Sequence, residues 1–395
     1  MAGGEKGRQG GSTDRAVTTP PHRVGLNLIF LVPGETGGME IVARELIPAL
    51  LGAAEPGMRF TAFINREATA AGGGPWGELL PTVTVPVNAR RREQWVFGEQ
   101  ALLPRLAARA RVDLVHSLAS TAPLWGPFRR VVTVHDLIYA HYPEAHGRLR
   151  AGAMRVLVPT AARRSHRVIC DSQSTRADLV DMLGIKPERV DVVPLGVGTG
   201  RRYARPETEV RARFELGSRE VLLSLSAKRP HKNLAALIGA LARLPPERRP
   251  LLVLAGYPTA HEQELRGRAA SAGVASDVRF VGWLSPAEVE GLWAIARAFV
   301  FPSLYEGFGL PVLEAMARGV PVACSDASSL PEVAGEAALL FDPYDEDAIA
   351  QALARLIDDA ELRRRLAALG RERVREFTWE RTARLTLQSY ARALA

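Results

Sequence analysis

The 395-residue sequence has little cysteine, few aromatic residues and no long apolar run. Its two cysteines, Cys170 and Cys324, are too few for a disulfide framework, and no His/Cys cluster that could bind zinc accompanies them. We therefore expect both to be buried as small apolar side chains. The absence of 18 consecutive apolar residues excludes a membrane-spanning helix. Residues 1–21 lack the apolar segment of a secretory signal, so we expect a disordered leader on a cytoplasmic protein.

The charge is shifted to the basic side, with 51 Lys and Arg against 43 Asp and Glu and a formal net charge of +8. Such a charge favours nucleic acid, phosphate or anionic membrane as partners. Aromatic residues make up only 6% and the basic residues are scattered, whereas nucleic-acid-binding proteins interleave basic stripes with aromatics. We therefore expect no nucleic acid partner. Lysine is scarce, yet Lys228 and Lys232 lie within five positions of each other.

Strand-like apolar runs alternate with amphipathic helical stretches along most of the chain, which is typical of parallel sheets covered by helices. One set of runs lies within residues 24–195 and a second set within residues 220–341. Between them, residues 196–209 (GVGTGRRYARPETE) combine glycine, proline and charge as a linker does. The sequence therefore predicts an α/β protein of two Rossmann-like, doubly wound domains joined near residue 200.

The most informative segment is SLYEGFGLPVLEAMARGVPVACSDASSLPEV, residues 303–333, which follows a strand-like run. Glu306 opens a Gly-x-Gly loop made by Gly307 and Gly309, and a helix is predicted to start there. Glycines let the backbone approach a ligand closely, and a helix N-terminus favours phosphate. We expect Glu314 in the first turn of that helix, where its carboxylate can accept hydrogen bonds from the vicinal hydroxyls of a ribose. The segment predicts a site for a nucleotide with a polar group beyond its diphosphate.

The spacing of Glu306 and Glu314 within EGFGLPVLEAMARGVPV resembles the Glu-x7-Glu signature of the retaining glycosyltransferases of family 4. Residues 325–343 are similar to the same family. The resemblance implies the GT-B fold, in which two Rossmann-like domains face each other across a cleft. It also implies that Glu306 contacts the donor sugar and Glu314 the ribose. The alternative is a surface helix start with two incidental glutamates.

A second motif, SLSAKRPHKN at residues 224–233, follows the first strand-like run of the second half. Lys228, Arg229 and Lys232 cluster there at a strand-to-helix turn, the place where a doubly wound domain binds its ligand. Basic side chains at such a turn suit a phosphate clamp. The resemblance places Arg229 and Lys232 on the donor diphosphate, with Lys228 as a further candidate. The alternative is a solvated basic helix cap.

Two segments of the first half complete the resemblance. RVVTVHDLIYAHYP, residues 130–143, places His135 just past a strand-like run and is similar to the family's VxxHD segment, whose His lies beside the donor sugar. By itself, a histidine there is more often structural. The loop PGETGGME, residues 33–40, resembles the family's N-terminal glycine loop through Gly37 and Gly38. It is not Gly-x-Gly-x-x-Gly, which disfavours a nicotinamide or flavin dinucleotide.

Residues 278–293 (VRFVGWLSPAEVEGLW) resemble the family's base-binding strand and loop, although Trp283 could equally belong to the core. The resemblance assigns catalysis to His135, Lys232, Arg229 and Glu306. The implied donor-binding residues are Gly37, Gly38, Lys228, Gly282, Trp283, Gly307, Phe308, Gly309, Leu310 and Glu314.

No metal site or cofactor is expected. Metal-dependent glycosyltransferases of the other major fold use Asp-x-Asp, and the only such string, Asp345-Glu346-Asp347, lies at a predicted helix start. Acidic residues there are ordinary partners of the helix dipole. Arg229, Lys232 and the helix behind Gly309 would instead stabilise the departing diphosphate.

The resemblance implies transfer of a mannose- or glucose-type hexosyl unit from a GDP- or UDP-linked sugar to an acceptor hydroxyl, with retention. The acceptor would be a glycan, a lipid-linked molecule or a small molecule. The domains expected are 22–200 on the acceptor side, 201–377 on the nucleotide side, and a helix at 378–395 that returns to the first. Two alternatives stay open: a hydrolysing sugar-nucleotide epimerase on the same fold, and a non-catalytic glycan-binding homologue.

Arginines also cluster with apolar residues in LRAGAMRVLVPTAARRSHR, residues 149–167. A basic face binds anionic membranes with about 1 kcal/mol per residue near the headgroups. That would suit a lipid-linked acceptor and peripheral contact with the inner face of the plasma membrane. The alternative is a solvated helix face. The arginines concerned are Arg150, Arg155, Arg163, Arg164 and Arg167, with Arg90, Arg91 and Arg92 earlier in the same half.

Overall fold

The computed structural model describes residues 22–143, 148–198 and 203–395. Within these ranges the chain forms two parallel sheets, one of seven strands and one of six. The leader expected at residues 1–21 lies outside the described residues, as does part of the predicted linker, residues 199–202.

The first sheet and its helices form the N-terminal domain. Its strands are β1 (Arg23–Asn27), β2 (Arg59–Ile64), β3 (Thr82–Thr84), β4 (Leu114–Ser117), β5 (Arg129–Thr133), β6 (Arg167–Cys170) and β7 (Val190–Val192). Its helices are α1 (Gly38–Ala53), α2 (Arg66–Ala70), α3 (Arg92–Phe97), α4 (Leu103–Arg109), α5 (Ile138–His141), α6 (Arg148–Arg164) and α7 (Gln173–Asp181).

The second sheet and its helices form the C-terminal domain. Its strands are β8 (Val221–Leu225), β9 (Leu251–Ala255), β10 (Val278–Val281), β11 (Ala296–Phe301), β12 (Val322–Ser325) and β13 (Ala338–Phe341). The helices that follow β7 are α8 (Glu207–Arg213), α9 (Leu234–Arg243), α10 (Glu262–Ser271), α11 (Pro286–Ile295), α12 (Leu310–Ala317), α13 (Leu330–Ala334), α14 (Glu346–Asp358), α15 (Ala360–Arg373) and α16 (Trp379–Leu394).

The two sheets share one topology. The strand orders are β3-β2-β1-β4-β5-β6-β7 and β10-β9-β8-β11-β12-β13, and every strand pairing is parallel. In each sheet the chain winds first to one side and then to the other, as in the Rossmann fold. The winding reverses between β1 and β4 in one sheet and between β8 and β11 in the other. Ligands of such sheets bind beyond the carboxyl ends of the strands at that reversal.

The strands owe their positions to continuous apolar runs, which suit strands buried on both faces. β9, with the sequence LLVLA, is buried along its whole length. β3 was not predicted, because its three residues, Thr-Val-Thr, form a short edge strand without an apolar run. Cys170 and Cys324 are buried and unbridged, as expected.

The last helix of the chain, α16, lies on the N-terminal domain, where it packs against α1. Tyr390 is fully buried, and its hydroxyl lies 2.7 Å from Nδ1 of His116 on β4. The Thr382 hydroxyl donates to the carbonyl of Pro194 at 2.8 Å. The chain therefore crosses between the domains twice, once after β7 and once before α16.

Candidate active site

The two strongest sequence motifs meet at the winding reversal of the second sheet. Lys232 follows β8 and Glu306 follows β11, and the Lys232 Nζ donates to Oε1 of Glu306 at 2.6 Å. The side chains are only 15% and 10% exposed. The ammonium also lies 5.5 Å from the centre of the Phe301 ring. An ion pair so little exposed is expensive to desolvate, so its place at a ligand-binding edge points to chemistry rather than to stability.

The loop that carries Glu306 is held by two serines of the segment before α13. The Glu306 backbone N–H donates to the Ser328 hydroxyl at 2.8 Å, and the Ser329 hydroxyl lies 2.9 Å from the Glu306 carbonyl. Ser328 has a φ of 49°, in the left-handed region that non-glycine residues seldom adopt. Strained residues of this kind are held by their surroundings and concentrate at functional sites.

Gly309 forms the start of α12, as the glycine loop predicts. Its φ is 106°, and a Cβ there would lie 2.6 Å from Leu330. Glycine is therefore required. Pro311 has no N–H group and the Val312 N–H donates to the Gly309 carbonyl at 3.0 Å, so an anion at this helix start would be favoured mainly by the helix dipole. One detail was wrong: α12 begins at Leu310, so Glu314 is its fifth residue and lies beyond the first turn. Leu310 and Glu314 line a groove between α1 and α12, together with Arg318.

The two other basic candidates differ in their surroundings. Arg229 is half-buried at the start of the 3-10 turn Pro230–Lys232 and forms no ion pair with any of the described residues. Lys228 is fully buried: its Nζ donates to the carbonyls of Gly256 and Val281 at 2.7 and 2.8 Å and lies 3.5 Å from Glu262. The structure thus ties Lys228 to the ends of β9 and β10 and does not bring its ammonium to the cleft.

His135 follows β5 in the N-terminal domain and is bound on both sides of its ring. Nδ1 lies 2.7 Å from Oδ2 of Asp171, and Nε2 lies 2.9 Å from the Leu118 carbonyl. Both partners are acceptors, so the ring must carry two protons to satisfy them. Burial opposes that charge, but the Asp171 carboxylate, together with the Leu118 carbonyl and the Asp136 carboxylate, outweighs burial and raises the pKa of His135 to about 9. The imidazole is therefore a cation at neutral pH.

The backbones of the two domains touch between His135 and Gly307. A Cβ on Gly307 would lie 1.9 Å from the His135 carbonyl oxygen, so only glycine fits there. The Tyr305 hydroxyl donates to Oδ2 of Asp178 at 2.6 Å, across the same boundary. His135, Lys232 and Glu306 are thereby brought into one region between the domains.

The remaining candidates divide into open and buried positions. Gly37 and Gly38 begin α1, and no atom lies within 4 Å of a Cβ built on either, which leaves their backbone open. The same holds for Gly282. Trp283 is 59% exposed and packs on Tyr257 with ring centres 4.6 Å apart. Phe308, in contrast, is a core residue, because its ring is buried against Phe377.

Sequence reasoning missed several residues of this region. Asp171, Ser172 and Thr175 follow β6, and they contact His135 and Gly307. The available signal was local: a serine directly before a helical stretch is typical of a helix N-terminus. The spacing of residues along the sequence did not indicate that the other domain would pack on this helix start.

The described residues contain no group of three or more His, Cys, Asp or Glu side chains arranged to hold a metal ion. The Asp345 carboxylate accepts from the N–H groups of Asp347 and Ala348 and so caps α14. Glu346 pairs with Arg243 and Arg268. Asp345-Glu346-Asp347 therefore has a structural role at the start of α14.

The basic face predicted on residues 149–167 presents less unpaired positive charge than its sequence indicates. Arg167 is bound to Asp191, and Arg90 is paired with Glu35. Arg155 is exposed beside Val156, which is 66% exposed. The Arg150 side chain lies outside the described residues. Among the described residues, no helix has both the length and the apolar character needed to cross a bilayer.

Comparisons with known proteins cover nearly the whole chain. The family model for glycosyl transferases group 1 matches residues 207–373, and the model for Glycosyltransferase Family 4 matches residues 36–201. The O-antigen chain mannosyltransferase B of Escherichia coli is 31% identical over 76% of this chain and 81% of its own. The MMP alpha-(1->4)-mannosyltransferase of Mycolicibacterium hassiacum is 36% identical over 59% of this chain and 56% of its own.

Solved structures resemble the fold at low sequence identity. Sucrose-phosphate synthase from Thermosynechococcus elongatus has a TM-score of 0.73 at 22% identity, covering 94% of this chain and 98% of its own. HepE of Anabaena in complex with UDP-glucose has a TM-score of 0.71 at 20% identity, covering 93% and 98%. At such identities the likeness bears on the fold alone.

Proposed function

Since this chain belongs to the family 4 glycosyltransferases and has their GT-B fold, we propose that it transfers a hexosyl unit from a nucleoside diphosphate sugar to an acceptor hydroxyl with retention. The observation that carries this proposal is the ion pair of Lys232 and Glu306 at the carboxyl edge of the second sheet, with His135 facing it from the other domain. A basic clamp and a carboxylate there suit a diphosphate and a sugar hydroxyl, respectively.

In the proposed reaction the bond from the anomeric carbon to the diphosphate oxygen breaks, and the acceptor oxygen bonds to the same face. The acceptor proton passes to the departing phosphate oxygen. Lys232, Arg229 and the positive N-terminal end of the α12 dipole stabilise the charge that develops on the diphosphate. Glu306 holds a hydroxyl of the sugar. No carboxylate acts as nucleophile in this scheme, which leaves same-face attack as the route to retention.

The names of the relatives support a choice of the donor to test first. Two of them are named mannosyltransferases, so we propose mannose from GDP-mannose as the first donor to test, with UDP-glucose as the comparison. Gly282 and the exposed Trp283 are the proposed neighbours of the base, Gly37 and Gly38 approach the diphosphate from the first domain, and Glu314 binds the ribose.

The test is a panel of nucleotide sugars measured for thermal stabilisation, followed by transfer assays with the donor that binds. A donor at 100 times its dissociation constant stabilises the folded state by about 2.7 kcal/mol. We expect one nucleotide sugar to stand out and to release nucleoside diphosphate faster when an acceptor is added. Stabilisation by none of the panel would contradict the proposal.

The two alternatives predict different products. A hydrolysing epimerase would release an isomerised sugar from the donor without any acceptor, and a non-catalytic homologue would bind glycan and turn over nothing. Product analysis of enzyme with donor alone, and then with acceptor, separates all three.

We also propose activity without a metal ion, because the positive charges of Lys232 and Arg229 neutralise the diphosphate. Activity should persist in excess EDTA. A complete loss that Mg²⁺ restores would contradict this part of the mechanism and would require a metal between the diphosphate and the protein.

A lipid-linked acceptor is a further proposal, supported by the exposure of Val156 beside Arg155 on α6. It predicts sedimentation with anionic vesicles at low salt, release at high salt, and little binding to neutral vesicles. No preference for anionic vesicles at low salt would favour an acceptor in aqueous solution.

A further inference from the structure

We propose that the turn of residues 171–175 (Asp-Ser-Gln-Ser-Thr) couples the two domains during the reaction, and that Ser172 and Thr175 are positioning residues for the donor loop around Gly307. This segment begins directly after β6 and includes the first three residues of α7 in the N-terminal domain. It contacts His135 on its own side of the cleft and Gly307 on the other, so one short segment fixes both halves of the candidate site.

The first contact orients the histidine. Oδ2 of Asp171 binds Nδ1 of His135 at 2.7 Å, while the Leu118 carbonyl holds Nε2 from the other side. With both nitrogens bound, the ring cannot turn. Asp171 is 2% exposed and its partner only 15%, so the pair is shielded from water and its geometry is fixed.

The second contact crosses the cleft. The Ser172 hydroxyl donates to the Gly307 carbonyl at 2.6 Å, and the Thr175 hydroxyl lies 3.2 Å from the same oxygen and 3.4 Å from the His135 carbonyl. Ser172 and Thr175 are 1% and 0% exposed. Because Gly307 follows Glu306 directly, these bonds hold the loop that carries the candidate sugar-binding carboxylate against the His135 backbone.

The third contact uses the helix start. The N–H groups of Gln173 and Ser174, at the first turn of α7, donate to the two carboxylate oxygens of Glu332 at 3.0 and 3.1 Å. Glu332 belongs to α13 of the other domain. A carboxylate at a helix N-terminus satisfies unpaired donors and is stabilised by the helix dipole. Glu332 is exposed, so salt should weaken this contact but not the buried hydroxyl bonds.

These contacts predict that the turn affects turnover rather than nucleotide binding, an expectation that rests on the proposed function. In the proposed function the bare nucleoside diphosphate binds mainly the C-terminal domain, so its affinity should depend little on the 171–175 turn. Transfer needs both domains together, so turnover should depend on this turn. The turn therefore acts on kcat, by setting how well the Glu306 loop and His135 are aligned when the cleft is closed.

The experiment compares Thr175→Val with Thr175→Ser. Valine keeps the shape of threonine and lacks the hydroxyl, whereas serine keeps the hydroxyl. We expect Thr175→Val and Ser172→Ala each to lower kcat five- to tenfold, about one net hydrogen bond, with the dissociation constant of the bare nucleoside diphosphate unchanged. Thr175→Ser should restore turnover to within twofold of the wild type.

Ser174→Ala is the matched control, because it lies in the same turn and contributes only its backbone N–H. Ser172 also caps α7, so thermal unfolding of each variant is measured to confirm that it is folded at the assay temperature. Glu332→Gln should lower kcat at low salt and match the wild type at high salt.

Two results overturn the inference. One is wild-type kcat in both Thr175→Val and Ser172→Ala. The other is a loss of nucleoside diphosphate affinity that equals the loss of kcat, since that would mean damage to the C-terminal domain itself. A wild-type protein that binds no nucleotide sugar would instead reject the proposed function, which separates the two failures.

Discussion

At the scale of single residues, the candidate site depends on charges that are buried in pairs. Lys232 and Glu306 neutralise each other while the diphosphate is absent. In the proposed mechanism, a bound diphosphate would give Lys232 a second, more negative partner and would release the Glu306 carboxylate for a sugar hydroxyl. The same two side chains can thus serve the empty and the occupied site without leaving either charge unpaired.

Lys232→Ala should therefore abolish most of the activity. Removing one preorganised donor from a developing oxyanion costs on the order of 10²- to 10³-fold in kcat. It also leaves Glu306 as a buried carboxylate without its partner, so the melting temperature should fall. Lys186→Ala, at an exposed lysine of the N-terminal domain, is the control and should change neither quantity. Transfer at the wild-type rate by Lys232→Ala would remove the phosphate clamp from the mechanism.

The pH dependence of stability tests the charge on His135. Its pKa is raised from 6.5 to about 9 in the folded protein, which corresponds to about 3 kcal/mol. A group whose pKa is raised by folding stabilises fully below its unfolded pKa and loses that contribution as the pH rises towards the folded value. Unfolding free energy should therefore decline between pH 6.5 and 9.

Glu99, whose pKa burial raises to about 7, changes its contribution mainly below that window. Asp171→Asn removes the carboxylate that holds the proton, so this variant should show a flat profile between pH 7 and 9. Denaturant unfolding of both proteins across this range is the measurement. A decline of equal size in Asp171→Asn would assign the effect to other groups.

Lys228 shows where residue patterns mislead. Two lysines within five positions of a lysine-poor chain indicated one clamp, yet only Lys232 reaches the candidate site. The Lys228 ammonium instead donates to the carbonyls of Gly256 and Val281, at the ends of other strands. The spacing along one segment cannot reveal which backbone oxygens from distant strands will surround a side chain.

At the scale of elements, local patterns were most reliable where the chain is apolar and continuous. The strands and α12 lie where runs and glycines predicted them, because those signals are local. β3 has no apolar run that could have predicted it. Whether Glu314 lies in the first turn of α12 depended on the exact residue at which that helix starts, which local patterns do not fix. The docking of α7 on Gly307 is a contact across 132 residues, and no local pattern encodes it.

The C-terminal helix α16 provides a prediction at this scale. Tyr390→Phe removes the hydroxyl that lies 2.7 Å from Nδ1 of His116, in a fully buried place where burial holds the pKa of His116 near 3. The neutral ring then keeps one unpaired nitrogen, which costs about 1–3 kcal/mol. We expect a lower free energy of unfolding by that amount. Tyr203→Phe, at a 77% exposed tyrosine, is the control.

At the scale of the whole molecule, the two chain crossings lie side by side. The Val197 N–H, after β7, donates to the carbonyl of Phe377, just before α16, at 3.0 Å. A Cβ on Gly196 would lie 2.4 Å from the backbone nitrogen of Trp379, so the crossings are closely packed. We expect two adjacent crossings to act as a hinge, because the rest of the boundary includes contacts that can separate, such as that of Ser172 with Gly307.

Domain closure follows from this arrangement. The candidate donor residues from Lys228 to Glu314 belong to one domain, whereas His135, Gly37 and Gly38 belong to the other. The site is therefore complete only when the cleft is shut, and ligand binding should favour the shut state. Small-angle scattering should give a smaller radius of gyration with nucleoside diphosphate sugar than without it. The double variant Ser172→Ala/Thr175→Val should bind the same ligand and contract less, because its closed state lacks two contacts. An equal radius with and without ligand in the wild-type protein would mean that the domains do not move, and the coupling role of the 171–175 turn would then be reduced to holding a fixed interface.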